Sequence, residues 1–341
     1  MYMKRLFFLL IICVSTHLSS TAQTTLAPGE QPQLTVDSKG KIRLVYGEND
    51  KIYFATSNDN GKTFGLPQLV AQVSEMHLGM TRGPQLATSV DYSLITAMDK
   101  KGNIHAFKQS HKTGKWEKIA NVNNVDGSAP EGLMSIAADE SNNFYAVWLD
   151  LREDRRNNIC FASLKDSKWS ANNFVYKSPD EHVCECCKPS VTAKGKTVAI
   201  MFRNWLRGSR DLYLITSNDG GQKFSDAQKL GNGTWPLKGC PMDGGGLAID
   251  SKNQIQTAWQ RDGIVFYSVP GQPEQKVGEG RHVGLNGSII TWETGSDLMM
   301  QLIGGTQQKL GEGTAIKVYE TKDKSLLAVW EKDDKIVFKK I

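Results

Sequence analysis

The segment "LTVDSKGKIRLVY" (34–46) reads as two apolar runs joined by a polar turn, with the second run ending on an aromatic residue. Near copies stand at "SIAADESNNFYAVW" (135–148) and "LAIDSKNQIQTAW" (247–259). Apolar and polar residues alternate, the turns are rich in Gly, Asn, Asp and Lys, and no helical period appears, so each copy predicts a pair of antiparallel strands. The terminal slot recurs at Tyr46, Met98, Trp148, Phe202, Trp259, Trp292 and Trp330. A third strand follows each one, as in "KIYFATS", "NICFASL" and "DLYLITS", and most units add a short fourth, as in "QKLGNG", "QKVGEG" and "QKLGEG". Four strands per unit of roughly 45 residues predicts an all-β chain folded as a β-propeller of four-stranded blades. The count favours seven blades and leaves six open, because the last two units are short. The chain stops after the third strand of its last unit, while "TTLAPGE" (24–30) is like a fourth strand. The N-terminal strand is therefore expected to complete the final blade and remove an exposed sheet edge.

Ahead of this repeat, "MYMKRLFFLLIICVSTHLSSTAQ" opens with Lys4 and Arg5, continues through an apolar run, and offers Ser20 and Ala22 before Gln23. That pattern predicts a signal peptide over 1–22, cleaved before Gln23, and a single propeller domain over 23–341 in a secreted or periplasmic protein. The formal charge of +5 falls to +3 once Lys4 and Arg5 are removed (5 minus 2). So mild an excess points away from nucleic acid, and no further apolar run is long enough to span a membrane. A monomer is expected.

Two segments, "SNDNGKTF" (57–64) and "SNDGGQKF" (217–224), share the pattern S-x-D-x-G-x-x-F. Ser57, Asp59, Gly61 and Phe64 in one, and Ser217, Asp219, Gly221 and Phe224 in the other, have the chemistry of a tight turn. Short polar side chains bond the turn's own amides, glycine takes a positive φ, and the aromatic tucks back. "SHKTGKW" (110–116) and "SLKDSKW" (163–169) look like decayed copies. The pattern resembles the Asp-box, or BNR, repeat of the sialidase superfamily. The resemblance implies a sialidase-like propeller whose Asp boxes are structural turns on the face away from the active site.

It also implies a candidate chemistry. Family sialidases grip a substrate carboxylate with three arginines, protonate the leaving group with an Asp and attack with a Tyr, an exception to the two-carboxylate rule of glycosidases. Arginine suits that role because its planar fork holds a carboxylate in two places. By this resemblance "TRGP" (81–84) offers Arg82, "FRNWLRGSRDLY" offers Arg203 and Arg210, "LDLRED" offers Asp150 as acid, and "KVYETKDK" offers Tyr319 as nucleophile. The match departs from the family: the R-I-P motif is incomplete and sits in the second repeat, and no glutamate stands out as the tyrosine's partner. This reading requires no cofactor, and its ligand would be a glycan or acidic sugar.

A second constellation lies in "EHVCECCKP" (181–189) and "TWPLKGCPMDGG" (234–245). Loops joining a fourth strand to the next first strand, or a second to a third, share one propeller face, and the long ones fall in the second to fifth repeats. His182, Cys184, Cys186, Cys187, Cys240 and Met242 would meet the arginines there. Such soft donors favour copper or zinc over magnesium or calcium. The other reading is a disulfide from Cys240 to one cysteine of the cluster, tying two adjacent blades. Cys160, mid-strand in "NICFASL", reads as a buried apolar residue. The sequence thus predicts a glycan-directed propeller, either catalytic or purely sugar-binding, with an exported soft-metal or redox protein as the alternative.

Overall fold

The computed structural model describes residues 22–180 and 182–341; the expected signal peptide lies almost wholly outside them. Seven antiparallel sheets stand in a ring with no helix among the described residues. Named from the innermost strand outward, the first blade comprises Glu30–Val36, Ile42–Glu48, Lys51–Ser57 and Gln68–Gln72. The second has Gln85–Thr88, Tyr92–Met98, Ile104–Ser110 and Trp116–Ile119, and the third Met134–Ala138, Phe144–Asp150 and Asn158–Lys165, against which both Lys168–Trp169 and Asn173–Tyr176 pair. The fourth runs Ser190–Lys194, Thr197–Arg203, Leu212–Ser217 and Gln228–Lys229, the fifth Gly246–Ile249, Ile255–Arg261, Ile264–Ser268 and Gln275–Glu279, and the sixth Arg281–Asn286, Ile289–Thr294, Asp297–Leu302 and Gln308–Glu312. The seventh comprises Thr314–Glu320, Leu326–Lys332 and Lys335–Lys340, and Thr24–Pro28 pairs with the last of these as its outer strand. The ring therefore closes by the N-terminal strand, as the repeat predicts, and the count is seven.

The hairpins joining first to second strands have a local cause. Asp37 Oδ1 accepts from the amides of Lys39 and Lys41. Asp139 does the same with Ser141 and Asn143, and Asp250 with Lys252 and Gln254. This side-chain capture of the turn's own amides is why an aspartate follows the first apolar run in each copy.

Packing falls between blades, and one apolar cluster fills each of the seven interfaces. All seven residues of the recurrent slot are buried, from Trp148 and Trp330 at 0 % exposed to Met98 at 3 %. Each large ring removed from water contributes about 2–3 kcal/mol. Gly280 and Gly313 (φ 150° and 146°) explain the glycines after the fourth strands, because a Cβ at either would stand 2.7 Å from Cδ1 of Trp292 or Trp330. The ring leaves a central channel of about 430 Å³, lined by the innermost strands and the loops leading into them.

Candidate functional site

The long loops of the second to fifth blades meet on one face, stitched to one another by their backbones. Cys184 N donates to Arg203 O, Val183 N to Asn157 O, and Arg210 N to Trp235 O. At the centre of this mouth lie the sulfur atoms. Cys186 and Cys240 are joined as a disulfide. It ties the loop leading into the fourth blade to the loop leading into the fifth. The same two loops touch at Gly244, where a Cβ would lie 1.8 Å from the Lys188 carbonyl oxygen.

Behind this disulfide are two thiols. Cys184 and Cys187 are buried, and their Sγ atoms stand 2.9 Å apart, sharing a hydrogen bond. Cys184 Sγ is 3.6 Å from Cys186 Sγ, and Cys186 Sγ is 4.0 Å from Cys187 Sγ. Arg210 Nη1 donates to Cys184 Sγ at 3.0 Å. Burial would push the Cys184 thiol up, but the hydrogen bond with Cys187 and the charges of Arg210 and Arg203 outweigh it and hold the group at about 7. Cys187 moves the other way, raised well above the usual thiol range by burial and by its neighbour Cys184. One sulfur of the pair is thus prone to ionise and the other keeps its proton. Cys240 is exposed at the surface, so the disulfide links solvent to the buried pair.

Several buried polar atoms around this centre make no hydrogen bond: Asn157 Oδ1, Glu185 Oε2, Asn204 Oδ1 and Arg210 Nε, on mouth loops of the third and fourth blades. Glu185 Oε2 keeps only charge contacts, with His182 Nδ1 at 3.5 Å and Arg210 Nη1 at 3.7 Å. Thr96 Oγ1 and Trp116 Nε1, in strands of the second blade, are the other two such atoms among the described residues. Buried groups are ordinarily paired, so a concentration of exceptions marks a place where something else is meant to bind or react.

The residues assigned by the sialidase resemblance do not assemble into one carboxylate-gripping site. Arg203 is 1 % exposed, and its guanidinium donates to three backbone carbonyls, those of Asp243, Arg210 and Gln260. Its fork is filled, and it serves as an internal clamp between the fourth and fifth blades. Arg210 faces Cys184 and lies over the Trp205 ring. Arg82 is half-buried and donates from Nε to Glu131 O. Asp150 is 0 % exposed, and its carboxylate accepts from Trp148 Nε1, Ser128 Oγ and Arg152. A proton-delivering acid needs a free oxygen facing its substrate, and Asp150 offers none. Tyr319 pairs in register with Leu327, which packs on Gly61 of the first S-x-D-x-G turn, so the tyrosine lies toward the opposite end of the channel. Burial pushes it up to about 12, with no carboxylate bonded to it to draw off its proton.

The soft-donor set is likewise narrower than the sequence suggested. Cys184, Cys186 and Cys187 have sulfurs within 4.8 Å of one another and could hold a metal ion. Cys240 joins them only through its bond to Cys186, which takes both sulfurs out of use as thiolate ligands while it stands. His182 is not in the group; its Nδ1 is hydrogen-bonded to Val183 O. Met242 lies two residues past Cys240 with φ at 49°. Cys160 is a buried thiol pushed up by its apolar surroundings, as its mid-strand position implied.

Sequence reasoning missed two features. The spacing C-E-C-C contains a C-x-x-C pair, Cys184 and Cys187, hidden by the cysteine between them. The central channel also carries two lysines, Lys188 and Lys317. Strict alternation in "TAIKVYE" (314–320) places Lys317 and Tyr319 on the channel side, with Ile316 and Val318 in the core, so the signal was available.

No protein-family model and no curated protein matches the chain. Solved structures do. A Hadza microbial sialidase is 12 % identical with a TM-score of 0.53, the match covering 93 % of this chain and 68 % of that one. The BP39L lectin from Burkholderia pseudomallei is 8 % identical with a TM-score of 0.61, over 90 % and 96 % of the two chains. An ulvan lyase, a polysaccharide lyase, is 11 % identical with a TM-score of 0.55, over 93 % and 95 %. At such identities the likeness is one of fold, and the chain takes its place among β-propellers.

Proposed function

We propose that this is an exported thiol–disulfide protein whose working centre is the four-cysteine group at the mouth of the propeller. The observation that carries the reading is the geometry of Cys184. Its sulfur is 2.9 Å from Cys187 Sγ, 3.6 Å from Cys186 Sγ and 3.0 Å from the Arg210 guanidinium. The Cys184 thiolate attacks Cys186 Sγ, the Cys186–Cys240 bond breaks, and Cys240 leaves as a thiolate at the surface. Cys187, losing its proton to that thiolate by way of solvent, then attacks Cys184 Sγ and expels Cys186. The sum is an isomerisation: the buried disulfide Cys184–Cys187 forms, the Cys186 and Cys240 thiols are released, and no outside oxidant is consumed. The released pair can reduce a disulfide in a partner, two electrons passing out and two protons with them. Thiol trapping and disulfide mapping by mass spectrometry test this. Both pairings, Cys186–Cys240 and Cys184–Cys187, are expected in the wild type; an unchanging Cys186–Cys240 bond with two inert thiols defeats the proposal.

The soft-metal version of the same site rests on the three-sulfur cluster. Two thiolates on a tetrahedral zinc, with bonds of about 2.3 Å, stand about 3.8 Å apart, which suits the 3.6 and 4.0 Å separations but not the 2.9 Å one. Metal binding therefore needs the disulfide reduced and Cys184 moved from Cys187. An intact native mass carrying copper or zinc, lost in Cys186→Ser, would favour it.

A glycan-binding role is supported by a different feature, the polar channel opening at the mouth, together with structural neighbours named as a sialidase, a lectin and a polysaccharide lyase. On this reading the protein holds sugar without hydrolysing it, because Asp150 and Tyr319 lie apart and Arg203 is filled. A glycan array, with turnover of a fluorogenic sialoside as the second readout, tests it. Turnover abolished by Tyr319→Phe would restore the catalytic version.

A further inference from the structure

The central channel has an imbalance of hydrogen-bonding groups. Its carboxylates are all engaged: Glu293 accepts from His282 Nδ1, Thr314 Oγ1 and Ala315 N, Asp243 from His282 N, and Glu331 from Gln31 N. The ammonium groups are not. Lys188 Nζ donates to Gln85 Oε1 at 2.6 Å, leaving two of its three donors, and Lys317 has no hydrogen-bonding or ion-pair partner among the described residues. Lys188 comes from the loop leading into the fourth blade and Lys317 from the innermost strand of the seventh, yet both line one cavity of about 430 Å³. The two cations are close enough to repel one another, and between them they keep most of their donors free toward the cavity, an arrangement that a bound anion would complete.

We propose that the channel is a binding site for a small oxyanion, its oxygens taking the free donors of Lys188 and Lys317. The lysines are point donors that suit carboxylate, phosphate or sulfate oxygens alike, and the cavity has the size of ordinary small-ligand sites. The titratable groups that face the channel besides the two lysines are Asp243, His282, Glu293, Tyr319 and Glu331. Glu293 is the carboxylate whose charge reaches Lys317.

Isothermal titration calorimetry of the chain from residue 23 onward with sodium phosphate, sodium sulfate and sodium acetate tests the site. One-site binding by at least one anion is expected. Lys317→Met is expected to weaken it at least tenfold, and Lys188→Met should do the same. Acetate alone binding assigns a carboxylate ligand; phosphate or sulfate alone assigns a tetrahedral oxyanion. Melting curves accompany each variant. If Lys188→Met does not fold, Lys317→Met decides, since it removes an unpaired cation and should melt no lower than wild type. No heat from any anion, or binding that survives Lys317→Met, overturns the proposal.

Discussion

The two faces of this ring treat polar side chains in opposite ways. On one face, the turns at 57–64 and 217–224 close on themselves. Ser57 Oγ donates to Asp59 Oδ1 and accepts from Gly61 N, while Asp59 accepts from Thr63 N. Ser217, Asp219, Gly221 and Lys223 repeat that pattern. Desolvation acting on Asp59 is outweighed by the donors from Thr63 and Ser57, which hold it at about 2. On the mouth face, buried polar atoms make no hydrogen bond, a thiol is drawn toward ionisation, and two lysines keep free donors toward the channel. The first face is finished by its own residues. The second is built for something to happen, as expected where local consistency is given up for function.

The largest effect that would break this contrast is on the thiol chemistry. Cys184→Ser should abolish the Cys184–Cys187 pairing and leave Cys186–Cys240 as a fixed staple, read by trapping and mass mapping. The chain should still fold, because serine fits the volume of the thiol and can still accept from Arg210. If the cysteines of this variant exchange as before, the mouth is as inert as the opposite face.

Next comes a pair of glycine substitutions. At Gly244 an added Cβ meets the Lys188 carbonyl oxygen at 1.8 Å, a backbone atom that cannot yield without moving the disulfide-bearing loop. Gly244→Ala should lower stability by about 2–4 kcal/mol and slow the sulfur exchange as well. At Gly61 (φ 78°) the Cβ meets Leu327 Cδ2 at 2.8 Å, the end of a side chain that can shift. Gly61→Ala should cost about 1–2 kcal/mol and leave the thiols untouched. Denaturant melts paired with thiol reactivity separate the two faces.

Arg210→Met is expected to act on chemistry more than on fold. Without the guanidinium, the Cys184 thiol should titrate at least one unit above about 7, cutting the thiolate population at neutral pH from about half to about a tenth or less. The sign for stability follows. A thiol depressed in the folded state stabilises fully above the ordinary thiol range, and that contribution is lost as pH falls through about 7. The variant should therefore lose the part of the pH dependence of melting that lies between these limits. Ultraviolet titration of thiolate absorbance checks the shift directly, and an unchanged midpoint would remove Arg210 from the account.

How much of this could be read beforehand differs by face in the same manner. The propeller, its favoured count of seven blades and its closure were legible because they repeat: one slot filled by Tyr46, Trp148, Trp259 and their counterparts, and an aspartate turn after the first strands of the first, third and fifth blades. The mouth was legible as a place but not as a set of contacts. An arginine sequence looks alike whether the side chain grips a ligand or, as at Arg203, three backbone carbonyls, two of them 40 and 57 residues away. That outcome depends on contacts between residues far apart in the chain, which no local pattern encodes. The choice of Cys240 partner was open for the same reason. At Asp150 the reading failed differently: Trp148 and Arg152 stand two residues to either side, and only Ser128 is distant, so "WLDLR" already held most of the partners that occupy the carboxylate.

The smallest predicted effect is the cleanest measure of the quiet face. Ser57 and Ser217 are each 2 % exposed and occupy matching positions in the first and fourth blades. Each accepts from a glycine amide and donates to an aspartate. Ser57→Ala and Ser217→Ala should therefore cost about the same, about 1–2 kcal/mol each for a buried hydrogen-bonding group removed. Being on separate blades, they should add in the double variant. The Ser57→Ala penalty should shrink in acid. Asp59 is lowered in the folded state, so its contribution is complete above the ordinary carboxylate range and lost as pH falls through about 2. Neither substitution should alter the rate at which Cys184 reacts. A change in that rate would mean that the two faces are coupled through the blades, and the division of labour between them would have to be given up.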